Sequence, residues 1–311
     1  MIKVLLFYKF NEITDPEYFV RKHKQKCKEL GVLGKVLVAK EGINGSVSGT
    51  PEQMEAYKVY MHSLPGFEDV WFKEETAIEH PFTKMEARVR KEIIRLDKPV
   101  NMNNKGSFLT PQEFLDFYNK EDFIVLDARN YYEYDLGRFK NAINPAIKSF
   151  REFPQFVDNF EKSVDKKKKI VMYCTGGIRC EKASAYMKER GFENVYQLEG
   201  GIINFCQQLP NTVWEGKCFV FDKRLLSDIN QNNKPITHCI SCNIESDLLK
   251  NCKHLDCDKL VVLCVECQKK LQGCCSEDCL KKFTHYARER AALKKSGEWK
   301  APEIIQNYTK S

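Results

Sequence analysis

The chain has 311 residues, 42% of them hydrophobic, with 14 cysteines and a formal charge of +7. That length allows two or three domains of about 100–200 residues, and the mix of apolar and charged residues excludes a disordered chain. No apolar stretch nears the ~18–20 residues that span a bilayer, and the start, Met1-Ile2-Lys3-Val4-Leu5-Leu6-Phe7-Tyr8-Lys9, is too short an apolar run for a secretory signal. A cytoplasmic protein without membrane contact is the expectation. In a reducing compartment its cysteines point to metal binding or thiol chemistry, not disulfides. Cys27, Cys174, Cys180, Cys206 and Cys218 are scattered, while nine cysteines crowd between Cys239 and Cys279.

Residues 1–100 alternate strand and helix signals. Val4–Tyr8 reads as a strand, and Asp15-Pro16-Glu17 opens a helix that reaches Leu30 before Gly31. Lys35–Ala39 and Gly45–Val47 read as strands joined by a hairpin-type turn, Glu41-Gly42-Ile43-Asn44-Gly45. Thr50 and Gln53 form a capping box for a second helix, and a last strand falls near Val70–Lys73. The order βαββαβ predicts a ferredoxin-like α+β unit. Residues 82–98 then carry six basic and three acidic side chains, and Arg88-Val89-Arg90 alternates as a strand would. Asn101 to Gly106 reads as a polar linker.

A second domain is expected over residues 108–212. Thr110-Pro111 with Glu113 caps a helix, and Phe123–Asp127, Lys169–Cys174 and Val195–Leu198 are continuous apolar runs separated by helical segments. Such runs predict an α/β fold with a parallel sheet buried on both faces, whose chemistry lies beyond the carboxyl ends of the strands. Asp127 and Cys174 stand at those ends. From about Val213 the pattern gives way to a Cys-rich, mostly irregular region over 213–285, followed by a basic tail, 286–311. Between Lys281 and Lys300 there are seven Lys or Arg and two acids.

The loop Cys174-Thr175-Gly176-Gly177-Ile178-Arg179-Cys180 carries the chemistry. A strand–loop–helix with two glycines turns successive N–H groups toward one point and adds the positive end of a helix. A cysteine under those amides is expected to be acidic and nucleophilic, and Arg179 adds a fixed positive charge. Cysteine phosphatases use a C-x5-R loop wide enough for phosphate. Here the spacing is C-x4-R, one residue tighter, which favours sulfur chemistry. Asp127 and Arg129 read as an ion pair bracing the loop or as direct participants. Cys180 reads as a resolving thiol or as a small packing residue.

The 108–212 segment resembles a rhodanese domain. The motif residues are Asp127-Ala128-Arg129, Tyr132-Glu133, Gly137-Arg138-Phe139, Ala142-Ile143-Asn144-Pro145, the Cys174 loop and Leu198-Glu199-Gly200-Gly201-Ile202. Together with Lys40-Glu41-Gly42-Ile43-Asn44-Gly45 and the Phe82–Ile93 stretch, the chain is similar to the bacterial rhodanese-domain tRNA uridine(34) hydroxylases. The resemblance implies conversion of the wobble uridine to 5-hydroxyuridine with molecular oxygen as co-substrate, catalysis at Cys174, and tRNA, through its anticodon loop, as partner. The residue chemistry alone gives only a reactive thiolate in an anion nest. It leaves open a persulfide sulfurtransferase, and a zinc-containing RNA-binding or regulatory module whose thiol senses redox state. No nucleotide-cofactor motif is evident, and the six histidines are too scattered for a 2-His-1-carboxylate iron site. Lys84, Arg88, Arg90 and Lys91 are candidate RNA contacts, since clustered positive charge suits phosphates.

In the C-terminal region, Cys239-x2-Cys242, Cys252-x4-Cys257, Cys264-x2-Cys267 and Cys275 with Cys279 read as ligands for two structural zinc ions. An interleaved arrangement pairs Cys239, Cys242, Cys264 and Cys267 on one ion and Cys252, Cys257, Cys275 and Cys279 on the other. Sequential pairing is equally open, as are Cys274 in place of Cys275 and His254 in place of a cysteine.

Overall fold

The first sheet is antiparallel through four strands and gains a fifth. In the computed structural model, which describes residues 1–120, 123–227, 229 and 233–296, β1 (Ile2–Phe10) leads to α1 (Pro16–Leu30), β2 (Leu33–Ala39), β3 (Gly42–Gly49), α2 (Pro51–His62), β4 (Lys73–Ala77) and β5 (Met85–Val89). The strand order is β4-β1-β3-β2-β5, the ferredoxin-like arrangement of two interlocked βαβ units with β5 added parallel to β2. Asp15 caps α1 by accepting from the Tyr18 N–H, and Thr50 with Gln53 closes the expected capping box on α2. Leu5, Phe7, Val36, Ile43 and Tyr57 are buried in its core.

Two strand limits differ from the sequence expectation. β3 begins at Gly42, not Gly45, because Gly42 pairs with Phe10 and fits close to the Lys9 carbonyl. The last strand begins at Lys73. Phe67 and Val70 are instead turn residues whose buried side chains plug the core, and their N–H groups donate to the Leu64 and Phe67 carbonyls.

The second sheet is wholly parallel. β6 (Ser107–Leu109), α3 (Pro111–Tyr118), β7 (Phe123–Asp127), α4 (Tyr131–Leu136), β8 (Gly137–Phe139), α5 (Phe153–Phe160), β9 (Lys169–Tyr173), α6 (Ile178–Glu189), β10 (Asn194–Leu198) and α7 (Gly201–Gln208) follow in chain order. The sheet order is β6-β10-β9-β7. Leu126, Ile170 and Met172 pack on one face, and Val125, Val171 and Tyr173 on the other. In register, Asp127 lies beside Tyr173, so the strand ends place Asp127 next to Cys174. β11 (Trp214–Gly216) returns to pair with β8, and β12 (Cys218–Phe219) pairs with β13 (Leu226–Ser227). All of this lies in one compact unit, Met1–Lys234.

The second unit begins at Pro235. It holds a small hairpin, β14 (Leu249–Asn251) and β15 (Leu260–Val262), then α8 (Val265–Lys270) and α9 (Glu277–Ser296). The basic run from Lys281 is therefore helix as far as Ser296 and continues the element that carries Cys279. The rest of the expected tail, 297–311, lies outside the described residues. No helix among them is long and apolar enough to cross a membrane.

Candidate active site and metal-ligand clusters

Cys174 follows the last residue of β9, and the loop behind it runs straight into α6. Gly177 is the N-cap of that helix at φ +103°, and its N–H donates to the Cys174 sulfur at 3.1 Å. A side chain there would be strained by the backbone and would also press on the Tyr8 hydroxyl. From the other side, the N–H groups of Ile202 and Ile203 on α7 donate to the carbonyls of Cys174 and Thr175, at 3.0 and 3.2 Å. Gly201 permits that grip, since a Cβ would sit 2.4 Å from the Cys174 oxygen. The loop is held at both ends by main chain.

Cys174 is fully buried. Burial by itself would push its thiol up. The Cys180 thiol hydrogen bond, the Arg179 charge and the N–H groups of Cys180 and Arg179 outweigh it and bring the thiol down to about 5. Cys180, buried and facing a thiolate, is shifted the opposite way. The pair thus behaves as donor and acceptor: Cys180 keeps its proton and Cys174 loses it.

Arg179 does not point into open space. Its guanidinium makes a bidentate pair with Glu133 at 2.7 and 2.8 Å and reaches the Thr175 hydroxyl at 3.3 Å. Glu133 is fully buried at the third position of α4, where it also accepts from the Asn130 N–H. Removing either partner alone would strand a buried charge, at a cost of about 3–5 kcal/mol. Behind this pair, Arg129 holds Asp127 through Nε and Nη2 and donates to the Gly137 carbonyl at 2.6 Å, with both side chains fully buried. Asp127 and Arg129 therefore fix the ends of β7 and β8 behind the loop.

The N-terminal sheet covers the loop. Leu6 lies against Gly176, and the Tyr8 hydroxyl donates to Glu181 on α6 at 2.8 Å. Between sheet and loop is a cavity of about 740 Å³, lined by Cys174, Gly176, Ile178, Tyr8, Lys73 and Phe221 among others. That volume is in the range of about 300–1,000 Å³ usual for ligand sites. Arg90 and Lys91 also border it, whereas Lys84 and Arg88 do not. Those two are exposed and both pair with Glu86. The four expected RNA contacts are thus split: Arg90 and Lys91 at the cavity rim, Arg88 on β5 and Lys84 just before it.

Lys73, Tyr8 and Phe221 escaped the sequence reading as site residues, and Glu133 entered it only as part of the rhodanese motif, with no role assigned. Glu133 also had a second local signal, its place in the capping box after Asn130.

In the second unit, the sulfur atoms of Cys239, Cys242, Cys264 and Cys267 lie within 4.8 Å of one another, and so do those of Cys252, Cys257, Cys275 and Cys279. Neighbouring sulfurs are 3.6 Å apart for Cys242 and Cys264, 3.7 Å for Cys257 and Cys275, and 3.5 Å for Cys275 and Cys279. A tetrahedral zinc with Zn–S of about 2.3 Å sets its sulfurs about 3.8 Å apart. The Cys267 N–H donates to the Cys264 sulfur and the Cys275 N–H to the Cys252 sulfur, the kind of support that orients thiolate ligands. Both sets could hold a metal ion. Cys274 is fully buried outside them, and His254 is not part of either.

Comparison with known proteins adds three family models in chain order: a UPF0176 acylphosphatase like domain over residues 2–93, a rhodanese-like domain over 110–208 and a rhodanase C-terminal region over 215–280. The chain is 42% identical over 280 residues to the tRNA uridine(34) hydroxylase of Cytophaga hutchinsonii, covering 89% of each chain. It is 44% identical over 284 residues to that of Bacillus licheniformis (89% of this chain, 88% of the relative). The Staphylococcus epidermidis protein of the same name is 43% identical over 288 residues (90% and 89%).

Proposed function

The chain belongs to the tRNA uridine(34) hydroxylase family, and from that premise we propose that it replaces the C5 hydrogen of the wobble uridine of tRNA by a hydroxyl group. Molecular oxygen is the co-substrate and Cys174 the active-site thiolate, which makes the protein an oxidoreductase acting where tRNA is found, in the cytoplasm. The observation that carries this reading is the acidic Cys174, fully buried yet opening on a cavity of about 740 Å³. A base must leave its stack to reach such a floor, and the unpaired bases of an anticodon loop can do so. Arg90 and Lys91 at the rim, just past β5, suit the phosphates that flank an inserted base, with Arg88 on β5 and Lys84 just before it.

The loop Thr175 to Cys180 supports the thiolate and does not itself react. Asp127 and Arg129 brace it from behind. Each of the two sulfur clusters holds one structural zinc ion, and a thiolate set closed on all four sides keeps that metal out of the chemistry.

The test is modified-nucleoside mass spectrometry of tRNA from a deletion strain. Wild-type protein should restore 5-hydroxyuridine derivatives, and Cys174→Ser should not. A thiolation defect with normal 5-hydroxyuridine would instead establish the sulfurtransferase reading.

A further inference from the structure

Lys73 is the first residue of β4 and is only 4% exposed. Its register partner on β1 is Leu6, the side chain that lies against Gly176 of the active-site loop. Its ammonium group sits 4.3 Å from the Trp71 ring centroid and 5.2 Å from that of Tyr8. Trp71 in turn packs on Gly200, in the turn that delivers the Ile202 N–H to the Cys174 carbonyl. Lys73 and Cys174 line the same cavity.

Lys35, Arg90 and Lys91 also border the cavity but are exposed, and the more enclosed cations nearby are matched by carboxylates. Arg179 is matched by Glu133, Arg224 by Glu75 and Asp222, and Lys182 by Glu41 and Glu92. No carboxylate among the described residues comes within salt-bridge distance of Lys73. The titratable groups that bear on its charge are Cys174, Glu181 and Glu199 from the rhodanese-like part and Tyr8 from its own sheet. A buried, unpaired ammonium is costly to keep, and the anion nearest in function is the thiolate across the cavity.

We infer that Lys73 is the counter-cation of the Cys174 thiolate and, with uridine bound, the group that holds O4 of the base. The second half rests on the hydroxylase reading above. Sulfur adds to C6 of the uracil ring: the C6–S bond forms, and the C5=C6 electron pair moves through C4 onto O4, where the ammonium receives the charge. C5 becomes nucleophilic. It then takes a proton from water, and loss of a C5 proton with expulsion of the thiolate restores the ring. No oxidant enters this step. Burial also pulls the Lys73 ammonium down to about 8, against the opposing pull of Cys174, Glu181 and Glu199, so the charge pair is complete between roughly the acid limit of Cys174 and that value.

Two measurements on the full-length protein decide it. The first needs no tRNA: iodoacetamide alkylation of Cys174 is followed against pH by mass spectrometry of its peptide. Lys73→Met should raise the midpoint by about one unit, leaving ~10-fold less thiolate at a given pH below it, while Lys73→Arg should hold it. Lys73→Gln carries the same expectation as Lys73→Met should the apolar side chain unfold the protein. A folded variant with an unchanged midpoint overturns the counter-cation role. The second follows deuterium incorporation at C5 of the wobble uridine in D2O without oxygen, at a pH above the Cys174 midpoints of wild type and variants and below about 8, where Lys73 keeps its proton. Wild type and Lys73→Arg should exchange, and Lys73→Met should exchange at least tenfold more slowly. Equal rates overturn the O4 role. Should wild type neither exchange nor hydroxylate, the hydroxylase reading fails, and alkylation still decides the charge pair.

Discussion

Burial in a low-polarity interior ordinarily delays the ionisation of a thiol. Cys27 and Cys206 follow that rule, each pushed up to about 12 by burial. Cys174 is as buried as either and is brought down to about 5, so the difference must come from what surrounds the sulfur. Among the lowering contacts, the Cys180 thiol is a single removable donor. Cys180→Ala should raise the alkylation midpoint of Cys174 by about one to two units, whereas Cys180→Ser, which keeps a donor, should change it little. The sign is fixed by the chemistry: the thiolate is the reactive form, so reactivity is lost as pH falls through the folded midpoint. A raised midpoint moves that loss upward, and the profiles converge where both sulfurs are ionised. An alanine variant with the wild-type midpoint would remove Cys180 from the electrostatics and leave it a packing residue.

At the scale of elements, the parallel sheet and its loop were legible because their signals are local. Continuous apolar runs ending in Asp127 and Cys174 announce buried strands with chemistry at their tips, and Thr110 with Glu113 marks a helix start in four residues. Lys73 was not legible. Its role depends on β4 pairing with β1 and on β1 lying over a loop more than 160 residues further along the chain, as the Tyr8–Glu181 bond shows. The strand starting at Lys73 was also masked by apolar Val70 just before it, which fills the core from a turn. β5 gives a third case. Arg88-Val89-Arg90 reads as a strand, but β5 ends at Val89: Arg90 and Lys91, just past it, border the cavity, while Glu86 engages Lys84 and Arg88. Neutralising Arg90 and Lys91 together (R90Q with K91Q) should therefore weaken tRNA binding and reduce the steepness of its salt dependence by roughly 1.4, at about 0.7 per single-strand phosphate contact. Neutralising Lys84 and Arg88 should do less, because Glu86 already offsets both. Equal losses from the two double variants would show that the whole strand, and not the rim, faces the RNA.

At the scale of the molecule, the two units differ in what holds them together. The first has two larger sheets, two two-stranded ones and three apolar clusters of its own. The second has little: its buried cluster consists of Val261, Leu263, Leu271 and the sulfur ligands Cys239, Cys264 and Cys267, beside a two-stranded hairpin of three residues per strand. So small a core cannot offset the entropy of ordering the chain, and metal–thiolate bonds would supply the missing free energy. All eight candidate ligands fall between Cys239 and Cys279, so none belongs to the first unit. Metal analysis of the purified protein should find about two zinc ions per chain, two tetrahedral sites' worth; fewer than one would overturn the assignment. Stripping the metal with a strong chelator should abolish the cooperative unfolding transition of the second unit. The same sample should keep the transition of the first unit and the Cys174 alkylation midpoint, because the groups that bear on that sulfur, Cys180, Arg179, the loop amides and Lys73, all belong to the first unit. If alkylation and hydroxylation both survived stripping while tRNA binding fell, the metal-bearing unit would be acting on substrate capture. If the midpoint itself moved, the two units could not be treated as separately stabilised, and the account of the second as a metal-folded module would fail.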